Sequence, residues 1–309
     1  MGERRKRPSP PRLRFLLELG LVNLAGWLIR LLPYGSVVNL ADFLGVMAFD
    51  VVRIRRRVTL ANLKLALGKE KSAEELKKIG RRSYRIIARA FVEHLYLPRL
   101  NKQEIFDLVE FNSLNPFKKA MQEGKGAVLA SAHFGSWQLM GVAVAQHDLP
   151  MNFLVQQQRN EKVDRLAYSY VQDKGVGVLY RRFSARKVLE LLQQNKLVAM
   201  LPDQDAGKKG VIVKFFGQPV SVHRGPAYFA MQSKAPIITG FIVQNSREKK
   251  KAYIQEPYYP IWTGDEETDA QTILQEITSR IEEFVRKYPE HWFWPHRRWK
   301  STLGKYELQ

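Results

Sequence analysis

From residue 116 onward, short apolar runs alternate with segments of helical period. The runs 126 to 132, 151 to 155, 176 to 180 and 197 to 202 predict strands, and the segments 137 to 147, 161 to 173 and 184 to 194 between them predict helices. Such alternation specifies βαβ units: an α/β fold with a largely parallel or mixed sheet flanked by helices. A helix over 226 to 233, strands over 236 to 243 and 251 to 256, and a last helix capped by Thr268 or Asp269 complete the pattern. In that last helix Ile273, Ile277, Ile281, Phe284, Val285 and Tyr288 make one apolar stripe.

The chain before residue 116 is patterned differently. Ser72-Ala-Glu-Glu75 is a capping box, and Leu76, Ile79, Ser83, Ile86, Ile87, Ala90, Phe91 and Leu95 recur behind it at helical spacing, so a long core-facing helix is expected. Residues 15 to 29 hold fifteen residues with Glu18 the only charge. That is marginal against the ~20 apolar residues of a spanning helix. No small-residue cleavage site follows, so the stretch reads as an amphipathic or barely spanning anchor, extended past Pro33 by a second apolar stretch over 37 to 52. A pair of ordinary core helices is the alternative. The expected division is a basic tail with membrane-associated helices over 1 to 52, then one α/β domain over 53 to 309.

Charge sharpens that picture. Fifty Lys and Arg against thirty Asp and Glu give a formal net charge of +20, which favours an anionic partner. Residues 1 to 14 carry six Lys or Arg and three prolines, as a disordered basic tail does, and the positive-inside rule keeps such a tail cytoplasmic. Arg53, Arg55, Arg56 and Arg57 form a second basic cluster, read either as a contact for lipid headgroups or as a solvated helix face. At 45% hydrophobic and 11% aromatic the chain can bury a sizeable core, and it contains no cysteine. Disulfides, a thiol nucleophile and cysteine-based zinc sites are thereby excluded.

Candidate chemistry centres on His133. The strand 126 to 132 delivers it to a Gly135-Ser136 turn, with Ser136 a plausible N-cap for the following helix. A histidine at the carboxyl end of a strand is where open α/β sheets bind ligands, and its ordinary pKa of ~6.5 suits a general base. Other motifs carry less. Gly124-Lys-Gly126 precedes its strand and the run 206 to 210 lacks Walker spacing, so neither supports a nucleotide. His291 and His296 make a poor metal pair without carboxylate neighbours, and His94 reads as a packed or surface histidine. No metal or cofactor is expected. A nucleic-acid partner is not expected either, since no recognisable binding motif accompanies the charge.

Several distant segments together resemble the lipid A biosynthesis acyltransferases, the late acyltransferases within the histidine-x4-acid group. His133-Phe-Gly-Ser-Trp-Gln138 matches the histidine-x4-acid motif in everything but the acid. The run 201 to 217, with Asp203, Gln204, Asp205 and Phe215-Phe216-Gly217, looks like the family's Asp-Gln block and the turn after it. His223-Arg-Gly-Pro-Ala227 and Lys234-Ala-Pro-Ile-Ile238 continue in the family's order, and Trp292-Phe-Trp-Pro-His-Arg297-Arg298-Trp-Lys300 resembles its C-terminal ending. The resemblance covers nearly the whole chain.

It implies transfer of a fatty acyl group from an acyl-carrier-protein thioester to a hydroxyl of a phosphorylated, glucosamine-based lipid, at the cytoplasmic face of a Gram-negative inner membrane. His133 would be the base. Gln138 stands where the family has its acid; it can orient an imidazole by hydrogen bond but cannot offset its charge, so Asp203 or Asp205 is a candidate substitute carboxylate. Arg159, Asp203, Gln204, Asp205, Arg297 and Arg298 are the candidate substrate-binding residues. Gln172-Asp-Lys174 replaces an arginine the family usually carries. The alternatives are acylation of another membrane glycolipid or lysophospholipid, with an acyl-CoA donor, and a catalytically impaired basic membrane-binding protein.

Overall fold

A computed structural model describes residues 12–181 and 185–305. Most of the basic tail read from the sequence lies outside them. Six elements precede the sheet's central part: α1 (Arg12–Arg30), α2 (Tyr34–Val46), α3 (Arg56–Leu67), α4 (Ala73–Tyr96), α5 (Lys102–Leu108) and β1 (Val109–Phe111). Then follow α6 (Asn115–Gln122), β2 (Ala127–Ala130), α7 (Trp137–Gln146), β3 (Met151–Val155), α8 (Glu161–Gln172), β4 (Gly177–Tyr180), α9 (Ala185–Gln193) and β5 (Leu197–Met200). The hairpin β6 (Val211–Phe215) and β7 (Gln218–Val222) leads into α10 (Gly225–Ser233), β8 (Ile237–Gln244), β9 (Lys250–Ile254), α11 (Glu266–Lys287) and α12 (Lys300–Leu303).

Seven strands form one sheet in the order β1-β9-β8-β2-β5-β3-β4, and only the β8–β9 pair is antiparallel. The expected α/β architecture is thus observed. Strand β2 lies inside the sheet between β5 and β8, and its side chains alternate between two cores. Val128 and Ala130 enter one with α9, α10, α11 and the β6–β7 hairpin; Ala127 and Leu129 enter the other with α2, α5, α6 and α7. Burial on both faces explains why this segment reads as an unbroken apolar run.

Two terminal details depart from the sequence reading. The last helix is capped by Asp265, whose side chain accepts from the Glu267 and Thr268 amides, so it starts earlier than Thr268 or Asp269. Asp269 instead receives the Thr263 amide and hydroxyl. Ser136 precedes α7, but its hydroxyl donates to Glu93 rather than capping the helix. The Ser72–Glu75 capping box forms as expected. Phe91 is 52% exposed, off the core stripe assigned to it.

Helix α1 carries an exposed apolar face. Leu13, Leu16, Leu17, Leu21, Leu24, Trp27, Leu28 and Leu31 are all exposed. At 3.6 residues per turn they fall within an arc of roughly 140° on one side of the α1 axis. The other side rests on α4 and α8, where Asn160 holds Glu18 and the Phe15 carbonyl. The helix from Tyr34 to Val51, α2 with a π-helical last turn, is long and apolar enough to cross a membrane by length and composition. One face of it, with Val37, Val38, Ala41 and Gly45, is buried, and Gly45 lies against the α4 backbone at Tyr84 and Arg85.

Candidate active site

Strands β2 and β5 run side by side in parallel, with Ala130 in register with Met200. Three residues beyond each member of that pair stand His133 and Asp203. Equal offsets on neighbouring parallel strands bring both residues to the carboxyl edge of the sheet. There His133 Nδ1 lies 2.8 Å from Asp203 Oδ1, and the His133 backbone N–H donates to Asp203 Oδ2 at 3.0 Å. The Trp292 indole N–H donates to the same Oδ2 at 3.0 Å.

Asp203 is 4% exposed. Burial alone raises a carboxyl pKa, but the positive charge available on His133 and the three N–H donors outweigh it and hold Asp203 at about 2. An ionised carboxylate only accepts, so the imidazole proton sits on Nδ1 and the lone pair is on Nε2. The Gln204 side-chain nitrogen lies 3.5 Å from that Nε2. The site thus offers an oriented base with its partner buried and its reactive nitrogen beside the cavity.

The turn after His133 is clamped from behind. Phe293 N donates to the His133 carbonyl at 3.1 Å, Gly135 N donates to the His291 carbonyl at 2.8 Å, and Phe134 bridges Trp292. Gly135 has φ +53°, and a Cβ there would lie 2.2 Å from the Ile242 carbonyl oxygen, so only glycine fits. Trp292, Trp294 and Trp299 are fully buried, which makes them core residues and not an interfacial belt. His291 is buried as well, stacked on Phe134 and accepting the Gln244 amide.

A cavity of about 940 Å³ opens over His133 at the carboxyl ends of β2, β3 and β5. Its wall is largely apolar, with Phe91, Trp137, Met140, Phe153, Tyr228 and Phe293 among the lining side chains. Gln138 lines it too, but no hydrogen bond joins Gln138 to His133. The expectation that residue 138 orients the imidazole is corrected accordingly: Asp203, from the neighbouring strand, already occupies Nδ1. Asp205, the other candidate carboxylate, turns away to accept from Ser301 Oγ at 2.6 Å.

The anticipated arginines are absent from the wall. Arg159 and Arg297 are exposed outside the cavity. Arg298 is 2% exposed; it donates to the Ser221 carbonyl at 2.6 Å and lies over the Phe215 ring, a placement that ties the C-terminal segment to β7. The cations that do line the cavity are Arg181, Lys209 and Arg224, beside His223. Burial and the neighbouring charges of Arg181 and Arg298 push His223 down to about 4. His94 also lines the cavity, a packed histidine whose Nε2–H donates to the Ala167 carbonyl oxygen at 2.9 Å.

Sequence reasoning passed over a second polar cluster. Glu93 and Lys250 are an ion pair at 2.8 Å, with 3% and 1% of their side chains exposed. Tyr34 donates to Glu93 and accepts from Lys250, each at 2.8 Å, and Ser136 donates to the other Glu93 oxygen. Four elements are joined by this cluster: the start of α2, α4, β9 and the turn that carries His133.

A family profile described as bacterial lipid A biosynthesis acyltransferase matches residues 10–301. The lipid A biosynthesis palmitoleoyltransferase of Escherichia coli (strain K12) is 26% identical over 284 residues, 89% of this chain and 88% of that one. The phosphatidylinositol mannoside acyltransferase of Mycolicibacterium smegmatis is 25% identical over 224 residues, 70% of this chain and 71% of that one. The lipid A biosynthesis lauroyltransferase of Escherichia coli (strain K12) is 21% identical over 277 residues, covering 89% of both. With the profile spanning nearly all of the sequence, the chain belongs to the bacterial lipid A biosynthesis acyltransferase family and is an enzyme that transfers an acyl group onto a lipid.

Proposed function

We propose that this enzyme moves a fatty acyl chain from an acyl-carrier-protein thioester to a hydroxyl of a phosphorylated, glucosamine-based lipid A precursor, with His133 as general base. The observation that carries this reading is the His133–Asp203–Trp292 arrangement at the floor of a largely apolar cavity. His133 Nε2 takes the proton of the acceptor hydroxyl, and the hydroxyl oxygen attacks the thioester carbonyl carbon. Asp203 stabilises the imidazolium that forms. As the tetrahedral intermediate collapses, the C–S bond breaks and the proton on Nε2 passes to the departing thiolate. The products are an ester and a free carrier thiol.

Gln204 is the proposed donor to the thioester oxygen, since its amide nitrogen lies beside Nε2. Arg181, Lys209 and Arg224 are the proposed contacts for the anionic groups of the substrates. The net charge of +20 serves the same ends, attracting an acidic carrier protein and an anionic membrane. The exposed apolar face of α1 is proposed to lie in the bilayer interface on the cytoplasmic side of the inner membrane. Its opposite side contacts α8, whose Asn160, Val163 and Asp164 line the cavity, so a lipid acceptor enters laterally.

The test is incubation of the purified protein with acyl-carrier-protein thioester and lipid A precursor, with product followed by mass. Acylated precursor is expected, and His133→Ala should abolish it while lipid binding persists. The mycobacterial relatives favour one alternative acceptor class, so phosphatidylinositol mannoside with acyl-CoA is run in parallel. Product on that acceptor alone would reassign the substrate and leave the base in place.

A further inference from the structure

The loop between the first long apolar helix and α3 has an unusual construction. Its arginines and apolar residues alternate, and Arg53 and Arg55 both adopt left-handed backbone conformations, with φ of 58° and 51°. Non-glycine residues adopt that region only where the surrounding structure holds them in it. Here the two left-handed residues turn the chain so that Arg53, Arg55, Arg56 and Arg57, with Val58 and Leu60, line a cleft of about 470 Å³. It shares no lining residue with the cavity over His133.

No acidic side chain lines this cleft. Elsewhere three arginines of α4 are neutralised: Arg81 pairs with Asp50, and Arg85 and Arg89 pair with Asp42. Among the described residues none of the four cleft arginines makes an ion pair. Arg53 and Arg55 reach only the backbone carbonyls of Asp50 and Pro295, and Arg56 lies over the Phe49 ring. Four cations crowded together without a counter-charge repel one another unless an anion joins them. Flanking them, Val51, Val52 and Ile54 are 62%, 64% and 53% exposed. The apolar surface continues to Leu44, two turns back along the same helix. A soluble anion explains the arginines but leaves these side chains in water; a lipid surface satisfies both.

We propose that residues 51–57 are a docking element for an anionic bilayer, in which the four arginines hold the phosphate of a phospholipid headgroup while Val51, Val52 and Ile54 insert among the acyl chains. This site is separate from the one that binds the acyl acceptor, and it rests on the reading of the enzyme as one that works on membrane lipid. Arg55 of this segment holds the Pro295 carbonyl and Asn62 of the following α3 holds those of Trp294 and His296, next to the residues that clamp His133. Docking therefore orients the catalytic cavity relative to the membrane plane.

The protein has no cysteine, so Ile54→Cys provides a unique attachment point for an environment-sensitive fluorophore. On mixing the labelled full-length protein with phosphatidylglycerol–phosphatidylcholine vesicles, the emission is expected to rise and shift to the blue. Pure phosphatidylcholine vesicles should produce a much smaller change. Arg53→Ser/Arg55→Ser/Arg57→Ser should weaken binding to the anionic vesicles roughly 100-fold, as three headgroup contacts imply. The corresponding triple lysine variant should retain most of the affinity. An unchanged label signal, or serine and wild-type proteins that bind anionic vesicles equally, would overturn the proposal. Acyl transfer to detergent-dispersed substrate separates it from the catalytic reading: an active enzyme whose label ignores vesicles refutes the docking element alone.

Discussion

Asp203 Oδ2 receives two N–H groups at 3.0 Å, one from the backbone of His133 and one from the indole of Trp292, while Oδ1 faces the imidazole. Every lone-pair direction used here needs a carboxylate, because all three partners donate. Asp203→Asn turns one acceptor into a donor and forces a clash of N–H groups. Acyl transfer should fall by roughly 10³- to 10⁴-fold in kcat, the cost of the same acid-to-amide change beside the histidine of a serine-protease triad. KM should change little. A kcat within tenfold of wild type, in a folded variant, would remove Asp203 from the mechanism.

Gln138 offers the complementary test. It lines the cavity, yet the imidazole nitrogen an acid would hold is already taken by Asp203. Gln138→Glu is therefore expected to alter kcat by only a few fold, and it should not rescue Asp203→Asn. Rescue in the double variant would show that residue 138 can reach His133 after all.

The Glu93–Lys250 pair is too deeply buried for either charge to stand alone. Lys250→Met leaves Glu93 uncompensated and should destabilise the protein by about 3–5 kcal/mol, read from urea unfolding. Adding Glu93→Gln should recover part of that loss. Because Ser136 donates to Glu93, the single variant should also lower kcat by loosening the turn that carries His133.

Buried histidines, His94 and His291 the most deeply enclosed, set the acid limit of stability. Burial holds His94 and His291 at about 4, below the ordinary 6.5. A histidine depressed on folding takes up its proton first in the unfolded chain, so stability is complete above about 6.5 and is lost as pH falls toward 4. Each contributes on the order of 3 kcal/mol at neutral pH. The contribution of Asp203 is lost only at lower pH, between 3.8 and about 2. The urea midpoint should drop steadily between pH 7 and 4.5, with a shallower slope in His94→Gln; a flat midpoint over that range would contradict the assignment.

The middle of the sheet was legible because β2 and β8 are buried on both faces and leave unbroken apolar runs. The His133–Asp203 pair was legible only by halves. His133 announces itself by the strand before it and the glycine turn after it. Asp203 lies 70 residues away, and its relation to His133 depends on β5 returning to lie beside β2, an order no periodicity records. The motif spacing pointed to residue 138 because local spacing is what a sequence displays. Arg298 misled for a related reason: an arginine beside tryptophans reads as a surface contact until its carbonyl partner on β7 is seen. The hairpin β6–β7 and the elements from α5 to α6 left no clear signal, being short and broken by polar residues.

The C-terminal segment that clamps the His133 turn comes late in the order in which the molecule is completed. Trp292 and Phe293 are synthesised after every strand of the sheet, whereas α1 and α2 precede every strand. A nascent chain that has not reached residue 292 lacks both the indole that fixes Asp203 and the amide that holds the His133 carbonyl. The helices proposed to meet the bilayer are thus complete well before the enzyme can act, so on that proposal the chain can settle on a membrane while still catalytically silent.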